Sequence, residues 1–98
     1  MLKSVLDYYP YYLSLHQDKR NRRLHAVGQI LTILYVAGCI WSKLWFGLLV
    51  APFIVYPFAW AGHYFYEKNT PAAWSKPLHA KICDWIMLKD MLIGKLEL

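Results

Sequence analysis

The alternation of apolar and polar positions divides the chain into four segments. Residues 3–17 (KSVLDYYPYYLSLHQ) interleave charges, tyrosines and aliphatic residues, which predicts a short amphipathic helix at an interface. Pro10 disturbs it, because a proline ring has no N–H for the helix ladder. Residues 18–23 (DKRNRR) form a basic junction. Two apolar stretches follow, from Leu24 to Ser42 and from Leu44 to Ala61, the second prolonged by aromatic residues to Tyr66. A helix of about 20 residues crosses a hydrocarbon layer of ~30 Å, so each stretch is long enough to span. The join at Ser42–Lys43 is short, which makes the two spans antiparallel neighbours, and Pro52 and Pro57 predict a bend in the second. Residues 67–76 read as a connection. A last helix is expected from Pro77 to about Ile93, with Leu78, Ile82, Trp85, Ile86, Leu92 and Ile93 opposed to Lys81, Asp84, Lys89 and Asp90. Its charges are too frequent for a span and suit a helix lying in the membrane plane or across the mouth of the spans.

The predicted fold is therefore an all-α membrane protein. It is a two-span antiparallel transmembrane hairpin with flanking N-terminal and C-terminal amphipathic helices. One membrane domain covers residues 1–98, with elements at 3–17, 24–42, 44–66 and 77–93.

Composition strengthens this reading. The 98 residues are 58% hydrophobic, 17% aromatic and only 17% charged. Between Arg23 and Glu67 the sole formal charge is Lys43. A soluble domain of this size has too little other chain to cover two such helices. Trp41 and Trp45 flank the Lys43 turn, while Trp60, Tyr64 and Tyr66 mark the other end with Tyr8, Tyr9, Tyr11 and Tyr12, as expected at water–lipid boundaries. Cys39 and Cys83 lack metal-like spacing and are expected as free thiols. The first 23 residues have no apolar core of the kind a cleavable signal peptide needs.

Lys and Arg fix the expected orientation. Five precede Leu24, five follow Ala61, and Lys43 stands alone at the turn, so both termini should face the cytoplasm, in a bacterial inner membrane or in the endoplasmic reticulum of a eukaryote. The net charge of +5 is then a topology and anionic-lipid signal, and no nucleic-acid partner is expected.

The candidate chemistry lies in four histidines, His16, His25, His63 and His79. His25 lies 18 residues before Lys43 and His63 lies 20 after it. In an antiparallel pair of helices these depths differ by only ~3 Å. Both rings should meet at the cytoplasmic boundary, where His16 can fold over the mouth and His79 opens the last helix. Imidazole is the commonest biological metal ligand. Glu67, one helical turn past His63, offers a carboxylate, and histidines with a carboxylate form the ligand style of non-haem iron oxygenases. Asn21 lies one turn before His25, as a ligand or as a group that orients one. The competing reading is that interfacial histidines and Glu67 only hydrogen-bond or cap.

The pattern Tyr12-x3-His16, then Asn21-Arg22-x2-His25-x2-Gly28, then Trp60-x-Gly62-His63-x-Phe65-x-Glu67-x-Asn69-x-Pro71-Ala72 resembles a family of small membrane proteins. That family is typified by the fungal 2-hydroxy fatty acid dioxygenase of phytosphingosine breakdown. Pro77-x6-Asp84-Trp85-x-Met87 is similar to its short bacterial members. The resemblance implies an Fe(2+)-dependent oxygenase that uses dioxygen to cleave a long-chain 2-hydroxy fatty acid between C1 and C2, shortening it by one carbon. Zinc or another divalent metal is the alternative cofactor. By motif, the metal ligands are His16, His25, His63 and Glu67. Asn21 and Asn69 would orient them, with His79, which lies outside the motif, as a further orienting residue, and Arg22, Arg23 or Lys68 would hold the substrate carboxylate. Asp18-Lys19 stands where many members have Asn-Pro, so the loop after His16 departs from the pattern.

Two other function classes remain open on the sequence. One is a non-catalytic small membrane protein for assembly or lipid organisation; the other is a haem-binding hairpin with His25 and His63 as axial ligands. Two spans are few to enclose a lipid tail, which leaves a homodimer open as well.

Overall fold

The computed structural model describes residues 2–97. Among these there is no strand, and four α-helices carry the fold: α1 (Leu2–Ser14), α2 (Lys19–Trp41), α3 (Val55–Gly62) and α4 (Pro77–Leu92). Two helical stretches, Lys19–Trp41 and Trp45–Glu67, are long and apolar enough to cross a membrane.

The basic junction is helical. Asp18 is the N-cap of α2, accepting from the Arg20 backbone N–H at 2.8 Å and pairing with the Arg20 guanidinium at 2.9 Å. An N-cap carboxylate satisfies one of the orphan donors of the first turn, so α2 starts five residues before the apolar run. At its other end α2 closes with Leu44 N–H to Cys39 O at 2.8 Å and Lys43 N–H to Ile40 O at 3.2 Å. This is a Schellman closure, with Lys43 in the left-handed region at φ 57°.

The return stretch is not one α-helix. It runs through 3₁₀ turns at Trp45–Leu49 and Ala51–Phe53, then α3, then a π turn at His63–Glu67. Pro52 and Pro57 each lack an N–H, so the α ladder cannot run continuously through residues 48–57. The i→i−3 bonds Val50 N–H to Gly47 O and Phe53 N–H to Val50 O carry the backbone instead. α1, in contrast, continues through Pro10, which is exposed.

α2 and α3 approach closely at two glycines. A Cβ on Gly28 would lie 3.0 Å from Val55 Cγ2 and 3.1 Å from Val55 Cα. On Gly62 it would lie 1.9 Å from Asn21 Oδ1 and 3.2 Å from Asn21 Cα. These contacts place the start of α2 against the end of α3. α1 and α4 pack on one another through Val5, Tyr12, Ala80, Cys83, Met87 and Met91.

The inward face of α4 differs from the one predicted. Ala80, Cys83, Asp84, Met87, Leu88, Asp90 and Met91 are buried, while Leu78, Leu92 and Ile93 are exposed. Asp84 and Asp90, expected on a solvated face, point inward because each meets a partner there: His25 and the Tyr9 hydroxyl respectively. Tyr12, expected as an interfacial anchor, is 2% exposed and belongs to the core.

Gly62→Ala forces the new methyl into Asn21, and overpacking of this kind typically costs ~1–3 kcal/mol. The midpoint of thermal unfolding in detergent should fall accordingly. An unchanged midpoint would show that the α2–α3 contact is looser than described.

Candidate metal centre

Three of the four histidines meet. His16 follows α1, His25 lies in the second turn of α2, and His63 begins the π turn after α3. All three are buried, at 1%, 4% and 1% exposure. Their ring centroids are 4.7 Å (His16–His25), 4.6 Å (His16–His63) and 5.3 Å (His25–His63) apart. The ring planes cross at 80–86°, so none stacks on another. One nitrogen from each ring falls within 4.8 Å of the others, a grouping able to hold a metal ion.

The outer nitrogens settle the tautomers. His16 Nδ1–H donates to Tyr12 O at 2.6 Å; a carbonyl can only accept. His25 Nδ1–H donates to the Asp84 carboxylate at 3.1 Å. His63 Nδ1–H donates to Asn69 Oδ1 at 2.6 Å, and the Asn69 amide is oriented by its own Nδ2 donating to Leu15 O at 3.1 Å. Each ring therefore carries its hydrogen-bonded proton on the outer nitrogen and turns Nε2 inward. His16 Nε2 and His63 Nε2 lie 3.1 Å apart, and His25 Nε2 is buried with no hydrogen-bond partner among the described residues. Two inward Nε2 atoms at that distance can share a cation between them. A shared proton is poorly suited at His16, whose basicity burial and the adjacent His25 imidazole push down to about 2. The donor set fits a divalent metal: imidazole nitrogens aimed inward, with far N–H groups fixed by a carbonyl, a carboxylate and an amide.

Local sequence builds this arrangement. Tyr12 stacks on His16 at 4.0 Å, one helical turn away. Arg22 Nη1 donates to the carbonyls of His16 and Gln17 at 2.9 and 3.1 Å, tying the His16 loop to α2. The π turn ends at Lys68, again left-handed at φ 57°, and Asn69 N–H returns to His63 O at 3.2 Å. That reversal brings the Asn69 side chain onto the His63 ring.

Other expected site residues lie elsewhere. Glu67, expected as a ligand, is outside the three-histidine group. Its Oε2 accepts from Asp18 N–H at 2.9 Å and Asn21 Nδ2 at 3.0 Å, so it clamps the start of α2 to the end of the π turn. Asn21 thus acts on Glu67, with no bond to His25. His79 is bonded to Ser4 Oγ at 2.8 Å, outside the group. Arg22 is buried and also donates to Glu97 O at 3.4 Å, while Arg23 and Lys68 are exposed.

The histidines line a cleft between α3 and α4, with Val55, Ala59 and Trp60 on one wall and Ala80, Lys81 and Asp84 on the other. Asp84 and Lys81 are the site residues that the sequence reading missed. The signal was present: residues 80, 84, 87 and 91 form one helical stripe, and an acid within an apolar stripe demands a partner.

Three buried imidazoles, each held by its far nitrogen on an all-helical scaffold, define a candidate histidine metal centre. The pattern of the family described as 2-hydroxy-palmitic acid dioxygenase Mpo1-like matches residues 2–96, and the chain belongs to that family. Comparison with curated proteins and with solved structures gives no significant match.

Two outcomes are expected. Purified protein should carry one divalent metal per chain, lost in His16→Ala, His25→Ala and His63→Ala but kept in Glu67→Gln and His79→Ala. Asp84→Asn should weaken metal affinity ~10–100-fold, as removal of a ligand-orienting carboxylate does. Elemental analysis and metal titration check both; metal retained in the three alanine variants would dismiss the centre.

A third expected outcome concerns acid. His16 has a folded-state pKa well below its unfolded value near 6.5, so below that pH the unfolded chain binds a proton that the folded chain refuses. Stability contributed by neutral His16 is complete above pH ~6.5 and is lost progressively as pH falls towards the folded value. In chelator-treated protein the His16 share of the loss from pH 7 to pH 5 should reach ~2 kcal/mol, read by thermal unfolding. His16→Gln should reduce the slope, leaving the part due to His63, which is also buried. An equal slope in wild type and variant would assign the effect elsewhere.

Proposed function

We propose that this protein is an integral membrane dioxygenase that uses iron(II) to shorten long-chain 2-hydroxy fatty acids by one carbon. The observation that carries the reading is the convergence of three inward Nε2 lone pairs at the edge of an apolar cleft. The family description supports the substrate class. His16, His25 and His63 would hold the metal, which when bound supplies the Lewis acidity and one-electron chemistry that reaction with dioxygen requires. Iron suits this role and zinc does not, since zinc has no redox chemistry. The reaction balances without a further reductant. A 2-hydroxy acid and dioxygen give the shortened acid, carbon dioxide and water; the C1–C2 bond breaks, and the four electrons removed from carbon reduce dioxygen.

The chain's own contributions are positional. Asp84 and Asn69 keep His25 and His63 protonated on the outer nitrogen, and the Tyr12 carbonyl does the same for His16. Tyr12, Ala59, Ala72 and Ala80 surround the cleft with buried apolar surface that excludes water. The acyl tail would lie along α3, where Tyr56 and Trp60 stack at 5.6 Å and expose apolar surface outward.

Membrane residence is supported by what the two long stretches leave uncovered. Only 28% and 22% of their most apolar windows are buried within the fold. Trp41 and Phe46 at the turn are each 89% exposed. In this reading α2 and the return stretch form a transmembrane hairpin, Lys43 faces the far side, and both termini and the histidines lie at the cytoplasmic boundary.

Iron-loaded protein in detergent should consume dioxygen on addition of 2-hydroxypalmitate and release carbon dioxide and the 15-carbon acid (the chain length following from loss of C1). Palmitate, which lacks the hydroxyl, should not react, and the three His→Ala variants should fall to background. Oxygen electrode traces with mass spectrometry decide it; no oxygen uptake by metal-replete protein would end the proposal.

A further inference from the structure

The three histidines can hold a metal, but the site has no residue in place for the anionic end of the proposed substrate. Arg22 is buried and already donates to three backbone carbonyls. Arg23 and Lys68 do not line the cleft. Among the described residues, Lys81 is the one lysine or arginine that does.

Lys81 lies three residues before Asp84 on α4, so both face the cleft from the same helix. Its ammonium donates to the carbonyl of Pro52 and stands over the Tyr56 ring, 4.9 Å from the centroid. An ammonium has three donors, and one of them is engaged here. Among the described residues Lys81 forms no ion pair. Burial lowers its basicity, with Asp84 partly restoring it. A cation that is partly desolvated and unpaired is costly, and a carboxylate with an apolar tail removes that cost.

We propose that Lys81 receives the carboxylate of the bound fatty acid. The inference rests on the reading of the cleft as a fatty acid site. The Pro52 carbonyl and the Tyr56 ring hold the ammonium in place before ligand arrives, so the side chain loses little freedom on binding. Tyr56 would then touch both the head-group partner and the start of the tail.

The test is equilibrium binding by calorimetry in detergent, on full-length protein as purified and after chelator treatment. The probes are 2-hydroxypalmitate and its uncharged counterpart 1,2-hexadecanediol. Lys81→Met should weaken binding of the acid ~10- to 100-fold in both preparations and leave the diol unchanged. Lys81→Arg should retain most of the affinity. Equal affinity of Lys81→Met and wild type for the acid would overturn the proposal. So would a parallel loss of acid and diol, or no acid binding by wild type. If acid binding depends on Lys81 while metal-replete protein takes up no oxygen, the carboxylate site stands and the oxygenase reading falls.

Discussion

The 3.1 Å separation of His16 Nε2 and His63 Nε2 is the constraint around which the rest of the chain is arranged. Neutral imidazoles repel when two lone pairs face each other, and burial denies them water as a remedy. Holding them there requires each ring to be fixed from behind, and three different elements do so. α1 supplies the Tyr12 carbonyl, α4 supplies Asp84, and the loop after the π turn supplies Asn69. α1, α2, α4 and the π turn with its following loop therefore each contribute to the centre, either as a ligand or as the partner of one. Binding a cation would convert this stored repulsion into attraction, which couples metal binding to the stability of the whole fold.

The interior is correspondingly polar. Asn21, Arg22, Gln29, Thr32 and Asp90 are buried as the histidines are, while many large apolar side chains are exposed. Such an inversion is unfavourable in water and favourable against hydrocarbon, in keeping with the membrane residence proposed above. It also explains how so short a chain frames a site. Gly28 and Gly62 let α2 and α3 approach until His25 on α2 meets His63 just past the end of α3, and Glu67 fastens the ends of that contact to the His16 loop. Asp90 and Tyr9 do the equivalent for α1 and α4 at 2.7 Å.

Part of this was legible before any coordinates. Matching the depths of His25 and His63 about Lys43 needs only a helical rise and an antiparallel return, and the structure brings the two rings within 5.3 Å. Glu67 falls outside the histidine group: spacing along an α-helix says nothing of a π turn whose end reverses at Lys68, nor of a competing donor such as Asp18 N–H. The last helix was misjudged for a different reason. Ranking its faces by hydrophobicity put Asp84 and Asp90 outside, but an acid with a histidine or tyrosine partner is stable inside. Pairing is a property of the tertiary contact, and one segment's periodicity does not contain it.

That same limit accounts for Lys81. On sequence it belongs to the polar face of an amphipathic helix, indistinguishable from Lys89 four residues before Ile93. What separates them is the opposite wall. Lys89 pairs with its neighbour Asp90 at 3.3 Å, a local contact available to any helix. Lys81 instead reaches across to the backbone of the return stretch, at Pro52, where two prolines have broken the α ladder. The irregular backbone that Pro52 and Pro57 impose is thus joined to the cleft by a cation. A continuous α-helix over residues 44–66 would bend less there and would alter the place of the Pro52 carbonyl relative to α4. The prolines that shorten α3 therefore bear on the shape of the site as directly as the histidines do.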